Sequence, residues 1–437
     1  MNPRICLGAV LLCGPCFAGS LQLNSLALDT SLFNVTEFAT GLSGPISALP
    51  LADNSIAIAS YWSGIQRFDG VDPPTTIYDV EGAHTGLLQA GNYYIDGNSG
   101  EFISGTSGPS ISILKPGADP SAPLTSVGTL NFAFAPNWEH NQMGIATRPT
   151  PGKPGSYDLV FNVGSEYDHQ LSTDPVALSG LIDGTLQGDS LYVVTIDLSG
   201  PQPVASNLRQ LATGIRNVIG MGFQSGTGDF YFADNAIDGP NPDGDEPPQA
   251  EEINRIPANV FGVGDPINFG YPTCYIQYRT GLQIGSDCAP PFFAIQPLDN
   301  GTPLGSESEG VSQLAFAPAD FPAGFNNGIF LGFSGKGSVT GPANEENAVG
   351  YYDFTTGDYI HFSENSQDGV YQPIGIMSTD DALFITDFGA GITYEVTPAV
   401  PEPGTCLLTG LALAALGSRH RHRVRHIAGR LGARVCG

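Results

Sequence analysis

The residues best suited to chemistry crowd into one stretch of the chain, 211–275. Gly214-Ile-Arg-Asn-Val-Ile-Gly220 sets Arg216 and Asn217 in a glycine-bounded turn. A run of oxygen-bearing residues follows: Asp238, Gly239, Pro240, Asp243, Asp245, Glu246, Glu251 and Glu252. Clustered carboxylates beside the fixed carbonyls of a Gly-Pro pair suit calcium, a hard cation that takes six to eight oxygen ligands. A solvated acidic loop has the same composition. The spacing is not that of an EF-hand, whose glycine and closing glutamate fall elsewhere. Upstream, Glu139-His140-Asn-Gln-Met-Gly144 offers an imidazole for proton transfer. It is one of four histidines between residues 19 and 398, with His84, His169 and His361. A lone histidine in a β protein is more often a loop or core residue, and a structural ion pair is the plain reading of Arg216.

These residues must be positioned by strands and turns. Gly and Pro number 57 and 35 of 437 residues, and the chain is 41% hydrophobic but only 14% charged. Runs free of Gly and Pro, which long helices need, are scarce. Six short β-forming runs stand out: 55–60, 92–96, 157–163, 229–234, 328–333 and 382–387. Most end in a Gly, Asp or Asn turn with a second strand beyond. Six hairpins over about 380 residues leave about 63 residues each, room for a four-stranded propeller blade with long loops. The expectation is an all-β chain forming a six-bladed β-propeller, with an array of β-sandwiches as the alternative. No internal linker divides the body.

The formal net charge is −27, and the body between the termini carries 42 acidic against 9 basic residues. Such a surface repels nucleic acid and anionic lipid. Residues 1–18 read Arg4, an apolar run and Phe17-Ala18, the order of a secretory signal peptide. Export leaves two body cysteines, Cys274 and Cys288, whose simplest fate is one disulfide. The loop so closed contributes on the order of 3 kcal/mol. At the other end, Val400-Pro-Glu-Pro403 precedes an apolar run and an Arg/His cluster. This order resembles the PEP-CTERM sorting signal of Gram-negative bacteria. The resemblance implies an exosortase-type processing partner, a transient hold in the inner membrane, and a final place in the periplasm, on the outer surface or in the extracellular matrix. The expected divisions are 1–18, 19–398 and 399–437.

The succession Gly214–Phe223, Asp229–Asp234, Asp238–Glu246, Glu251–Ile256 and Asn268-Phe-Gly-Tyr-Pro272 resembles the quinoprotein glucose/sorbosone dehydrogenase family, over most of the body. Glu139–Gly144, Phe321-Pro-Ala-Gly-Phe325 and Gly335-Lys336-Gly337 resemble further parts of it. The resemblance implies a six-bladed propeller that oxidises a sugar or alcohol carbon with pyrroloquinoline quinone (PQQ) and calcium. Carried over by position, His140 is the base, Arg216 and Asn217 face the cofactor, Lys336 approaches a cofactor carboxylate, and the carbonyls of Gly239 and Pro240 ligate calcium.

Two departures stand against this. The arginine pair that clamps PQQ in the soluble glucose dehydrogenases has no counterpart in Gly369–Gly375. The acid that assists the family's histidine is replaced by Ser165 or Glu166. The competing expectation is therefore a cofactor-free propeller serving as a calcium-binding carbohydrate or protein interaction module in the matrix. A calcium-dependent lactonase would need a carboxylate set at the pore that the sequence does not display. With Glu139 adjacent, the imidazole of His140 is expected to have a raised pKa, with activity falling below about pH 6.5.

Overall fold

The computed structural model describes residues 21–51, 53–70, 73–100, 108–238, 248–298, 310–334, 348–364 and 372–399. The leader, the sorting segment, Gly239, Pro240 and Lys336 lie outside these residues.

The chain folds as a six-bladed β-propeller. The innermost strands are Pro45–Pro50, His84–Ala90, Ile145–Pro149, Val218–Phe223, Val311–Phe316 and Pro373–Ser378. Each packs against the next, and the last returns to the first, closing a ring. They open blades 1 to 6 in that order. Every blade is a sheet of at least four strands built outward from the axis, its first three strands antiparallel. Blade 6 takes its outermost strand, Phe33–Ala39, from the start of the described chain, which ties the two ends of the propeller together. Ser47, Thr85, Ile145, Ile219, Gln313 and Ile376, one from each inner strand, line a cavity of about 290 Å³ on the axis.

Each of the six β-forming runs is the second strand of a blade: Ile56–Ser60, Tyr93–Asn98, Ser156–Val163, Phe230–Asp234, Gly328–Phe333 and Leu383–Asp387. A second strand is covered on both faces, so both of its side-chain sets are apolar. In blade 3, Leu159, Phe161 and Val163 pack toward blade 2, while Val160 packs toward blade 4. In blade 4, Phe230 and Phe232 pack toward blade 3, and Tyr231 and Ala233 toward blade 5. Among the described residues the core divides into six apolar clusters, one in each gap between blades. Single exposed strands could not hold this arrangement; burial between neighbours stabilises it.

Two insertions bear on function. Val176–Gly180 and Gly184–Leu186 leave blade 3 between its second and third strands and extend the outer edge of blade 2. The segment 164–175 is thereby held at both ends. In blade 4 a long excursion follows Glu252–Ile256. It carries Ile267–Asn268, which pairs in parallel with the outer strand of blade 3. It also carries the bonded pair Cys274–Cys288, with Cα atoms 6.4 Å apart.

The inner strands meet so closely that glycine is required at their contacts. A methyl group on Gly375 would overlap the Ile46 carbonyl across the blade 6–blade 1 seam and the Thr386 hydroxyl within blade 6. Gly375→Ala is expected to lower stability by about 2–3 kcal/mol, the usual cost of overpacking a tight core. Urea unfolding checks this, and an unchanged midpoint would contradict the packing.

Candidate active site

In each blade the connection into the first strand and the connection leaving the second lie at the same end of the propeller. At that end, in blades 3 and 4, four such connections converge. Residues 134–144 enter blade 3 and carry His140. Residues 214–217 enter blade 4 and carry Arg216 and Asn217. The stretch after Val163 carries Ser165 and Asp168, and the stretch after Asp234 carries Asp238.

Gly164 is the hinge of this convergence. A Cβ there would collide with the His140 carbonyl and approach the Arg216 carbonyl oxygen to 3.1 Å. Around it, the amide of His140 donates to the carbonyl of Ser165 (3.2 Å) and the amide of Ser165 donates to the carbonyl of Arg216 (2.8 Å). Gly144, which closes the histidine segment, presses on the backbone of Val218 and Ile219 and leaves no room for a side chain. Backbone contacts thus join three segments distant in sequence.

Arg216 is the buried charge of the site, with 4% of its surface exposed. Its Nε donates to Asp168 Oδ1 at 2.6 Å, and its Nη2 contacts both Asp168 and Asp238, the latter at 2.9 Å. Asp234 holds the backbone beneath: its Oδ1 accepts the amides of Arg216 and Asn217, each at 2.9 Å. Burial opposes the charge on the guanidinium, but Asp238 and Asp168 outweigh it and raise the pKa. Burial also raises that of Asp238, with Arg216 pulling the other way. With two carboxylates to one guanidinium, the cage is net negative when both are ionised.

His140 is buried beside this cage. Its Nδ1 lies 2.7 Å from Ser165 Oγ and 3.1 Å from the Ser165 carbonyl. The hydroxyl of Ser165 donates onward to the carbonyl of Tyr167 at 2.7 Å. The network therefore assigns the ring proton to Nδ1 and leaves Nε2 as the basic nitrogen. Burial, then the Arg216 charge, push the imidazole down to about 3, against the weaker pull of Ser165 and Asp168. This corrects the expectation of a raised pKa. Glu139 does not govern the ring; desolvation and the neighbouring guanidinium do.

The two replacements for the assisting acid separate cleanly. Ser165 holds the imidazole. Glu166 turns away and accepts the amides of Thr173 (2.8 Å) and Asp174 (3.2 Å), capping its own loop. The acidic stretch behaves differently from a solvated loop in its described part. Glu251 and Glu252 are buried, and they accept the amides of Gly310 (2.9 Å) and Ile276 (2.8 Å) respectively. No group of three or more His, Cys, Asp or Glu arranged for a metal occurs among the described residues. Of the other histidines, His84 is buried against Asp96 at 2.8 Å, and His169, at the surface, reaches the cage carboxylate Asp168 at 2.7 Å.

Sequence reasoning passed over Asp168 and Tyr271. Asp168 follows Ser165 and Glu166 in an ordinary polar turn, and nothing in its neighbours marks it. Tyr271 belongs to the Phe-Gly-Tyr-Pro motif, which had no assigned role. Its hydroxyl reaches the carbonyls of Tyr167 (2.6 Å) and Gln170 (3.1 Å), on either side of Asp168. Its amide donates to the carbonyl of Gly214 at 2.9 Å. Tyr271 therefore ties the Asp168 turn to the turn that carries Arg216. Among the buried side-chain oxygens that have no partner within the described residues are Asn141 Oδ1, Gln142 Oε1 and Asn217 Oδ1. All three lie within two residues of His140 or Arg216 in sequence, and each has an unused acceptor.

The buried acids give the stability a definite pH dependence. Burial raises Asp189 to about 6, Asp234 to about 7 and Glu252 to about 8. Unfolded carboxyls release their protons near pH 4, so these groups favour the folded state at low pH and that favour is lost as pH rises toward 8. His140 acts oppositely, but only as pH falls from about 6.5 toward 3. The urea midpoint is expected to be higher at pH 6.5 than at pH 8; the reverse order would contradict the burial of these acids.

No family model matches the chain, nor does the sequence of any curated protein. Solved structures do match in fold. The calcium structure of a carbohydrate-active family AA12 enzyme from Trichoderma reesei aligns with a TM-score of 0.55 at 14% identity, over 87% of this chain and 97% of that one. The PQQ domain of pyranose dehydrogenase from Coprinopsis cinerea gives 0.54 at 13%, over 86% and 97%. The PQQ-bound aldose sugar dehydrogenase of Streptomyces coelicolor gives 0.51 at 15%, over 85% and 99%. Along nearly the full length of those proteins, this chain shares the six-bladed propeller on which they are built.

Proposed function

We propose that this protein is an exported quinoprotein dehydrogenase that oxidises a sugar or related alcohol. The observation that carries the reading is the state of His140. The imidazole is buried and neutral, its Nδ1 is committed to Ser165, and its Nε2 is left to take a proton. A neutral ring with a free nitrogen can take the hydroxyl proton as hydride leaves the adjacent carbon, although an imidazole pushed down to about 3 is a weaker base than one poised near neutrality.

The residues present fit a cofactor at this place. Arg216 and Asn217 would hold PQQ through the guanidinium and the unpaired amide oxygen, and Lys336 would add a second cation. Gly239 and Pro240, directly after Asp238, would supply carbonyl oxygens to calcium, with Asp238 and Asp168 providing negative charge close by. Bound PQQ supplies the hydride acceptor. The chain's own part is to place the alcohol, exclude water and take the proton on His140 Nε2. The unpaired oxygens of Asn141, Gln142 and Asn217 suit sugar hydroxyls, which donate as well as accept. Export through the leader and surface sorting through the C-terminal segment belong to the same proposal.

One observation favours the alternative, a cofactor-free interaction module. Asp168 and Asp238 already consume the charge of Arg216. An anionic tricarboxylate therefore has little free positive charge to meet unless calcium is bound.

Titrating PQQ into the protein with calcium present separates the two readings. Binding at micromolar PQQ, lost on calcium removal, is expected, together with aldose-dependent dye reduction. His140→Ala should lower kcat by roughly 10²–10⁴-fold with little change in PQQ affinity, the usual worth of a positioned base. Arg216→Ala should weaken both. Absence of PQQ binding by the wild type would leave the module reading standing.

A further inference from the structure

On the face that carries His140 and Arg216, the second strand of blade 1 ends in Tyr61-Trp62-Ser63. Trp62 is 61% exposed, yet it is not loose. Its ring packs 5.2 Å from Phe388, in the matching turn of blade 6, and 4.9 Å from Tyr61. Beneath it lies Gly44, with φ of 63°. A Cβ on Gly44 would stand 2.7 Å from the indole and 2.9 Å from the Phe388 ring. The amide of Tyr61 donates to the carbonyl of Gly44 (2.8 Å), and that of Phe388 to the carbonyl of Gln372 (2.9 Å). Backbone and rings from two blades thus fix one large apolar face in water, where indole is otherwise disfavoured.

We propose that Trp62 is a platform for a sugar ring of a neutral oligosaccharide whose terminal unit lies at His140. The proposal rests on the sugar-oxidation reading for the second half of that statement only. Pyranose rings present a face of C–H bonds, which is attracted to the electron-rich face of an indole. In the closed ring of six, blades 1 and 6 stand three places from blades 4 and 3. The platform and the base therefore stand on opposite sides of the propeller axis, which suits an oligosaccharide rather than a single hexose. The acidic body, with 42 acidic and 9 basic residues, disfavours uronates and sulfated glycans and leaves neutral sugars.

The chain has two tryptophans, and Trp138 is buried, so iodide quenching of the full-length protein reads Trp62. The probes are gluco-, manno- and galacto-hexaoses and their monosaccharides, used without PQQ. At least one hexaose is expected to shield Trp62 from iodide where its monosaccharide at equal concentration does not. By calorimetry, Trp62→Ala should weaken that hexaose about five- to tenfold and Trp62→Phe less, as for loss of one stacked ring. No shielding by any hexaose, or unchanged affinity in Trp62→Ala, would overturn the platform. The two readings fail separately. A protein that shields Trp62 but takes up no PQQ keeps the platform and loses the oxidation. One that takes up PQQ without shielding loses the platform alone.

Discussion

A guanidinium almost wholly removed from water must be matched by charge, and in this protein that requirement organises the site. Arg216 is held by Asp168 and Asp238 through its side chain and by Asp234 through its backbone. Each carboxylate comes from a different turn or strand end, so pairing the charge fixes the relative position of blades 3 and 4 at this end. Removing both Asp168 and Asp238 would leave a buried charge uncompensated, which is far more costly than losing a surface pair. The same charge acts on His140. Together with burial it keeps the imidazole neutral, while Ser165 fixes which nitrogen carries the proton.

The cage can form only because the backbones approach so closely. Gly164 and Gly144 sit where the histidine segment, the Ser165 turn and the arginine turn touch, and neither has room for a methyl group. The insertion that crosses to blade 2 and the excursion anchored by Tyr271 then hold the Asp168 turn from two sides. These devices lie outside the repeated blade pattern. They are additions to blades 3 and 4, the two blades that carry the candidate chemistry.

The second strands of the blades were legible because burial on both faces makes them continuous apolar runs with sharp turns after them. The outer strands were not. Val204–Thr213, for example, alternates exposed and half-buried residues over much of its length and has no apolar signature. His140, Arg216 and Asn217 stood out as candidates because their surroundings resemble family motifs, and the structure places all three at one end of blades 3 and 4. Asp168 could not, because its importance comes from reaching Arg216, 48 residues away, through a turn of ordinary composition. The pKa of His140 misled for a related reason. Glu139 is its neighbour in sequence, but burial and Arg216 set its environment.

The chemistry proposed for the site depends on a neutral imidazole with Nε2 free to accept a proton. Nitrogen NMR of the histidine side chains, titrated from pH 8 to pH 5, tests it most directly, with His140→Gln identifying the signal. The expected result is a neutral ring protonated at Nδ1 that does not change across this range, in keeping with a pKa of about 3. A ring that takes up its second proton around pH 6.5, the value for an unperturbed histidine, or one that carries its proton on Nε2, would contradict it.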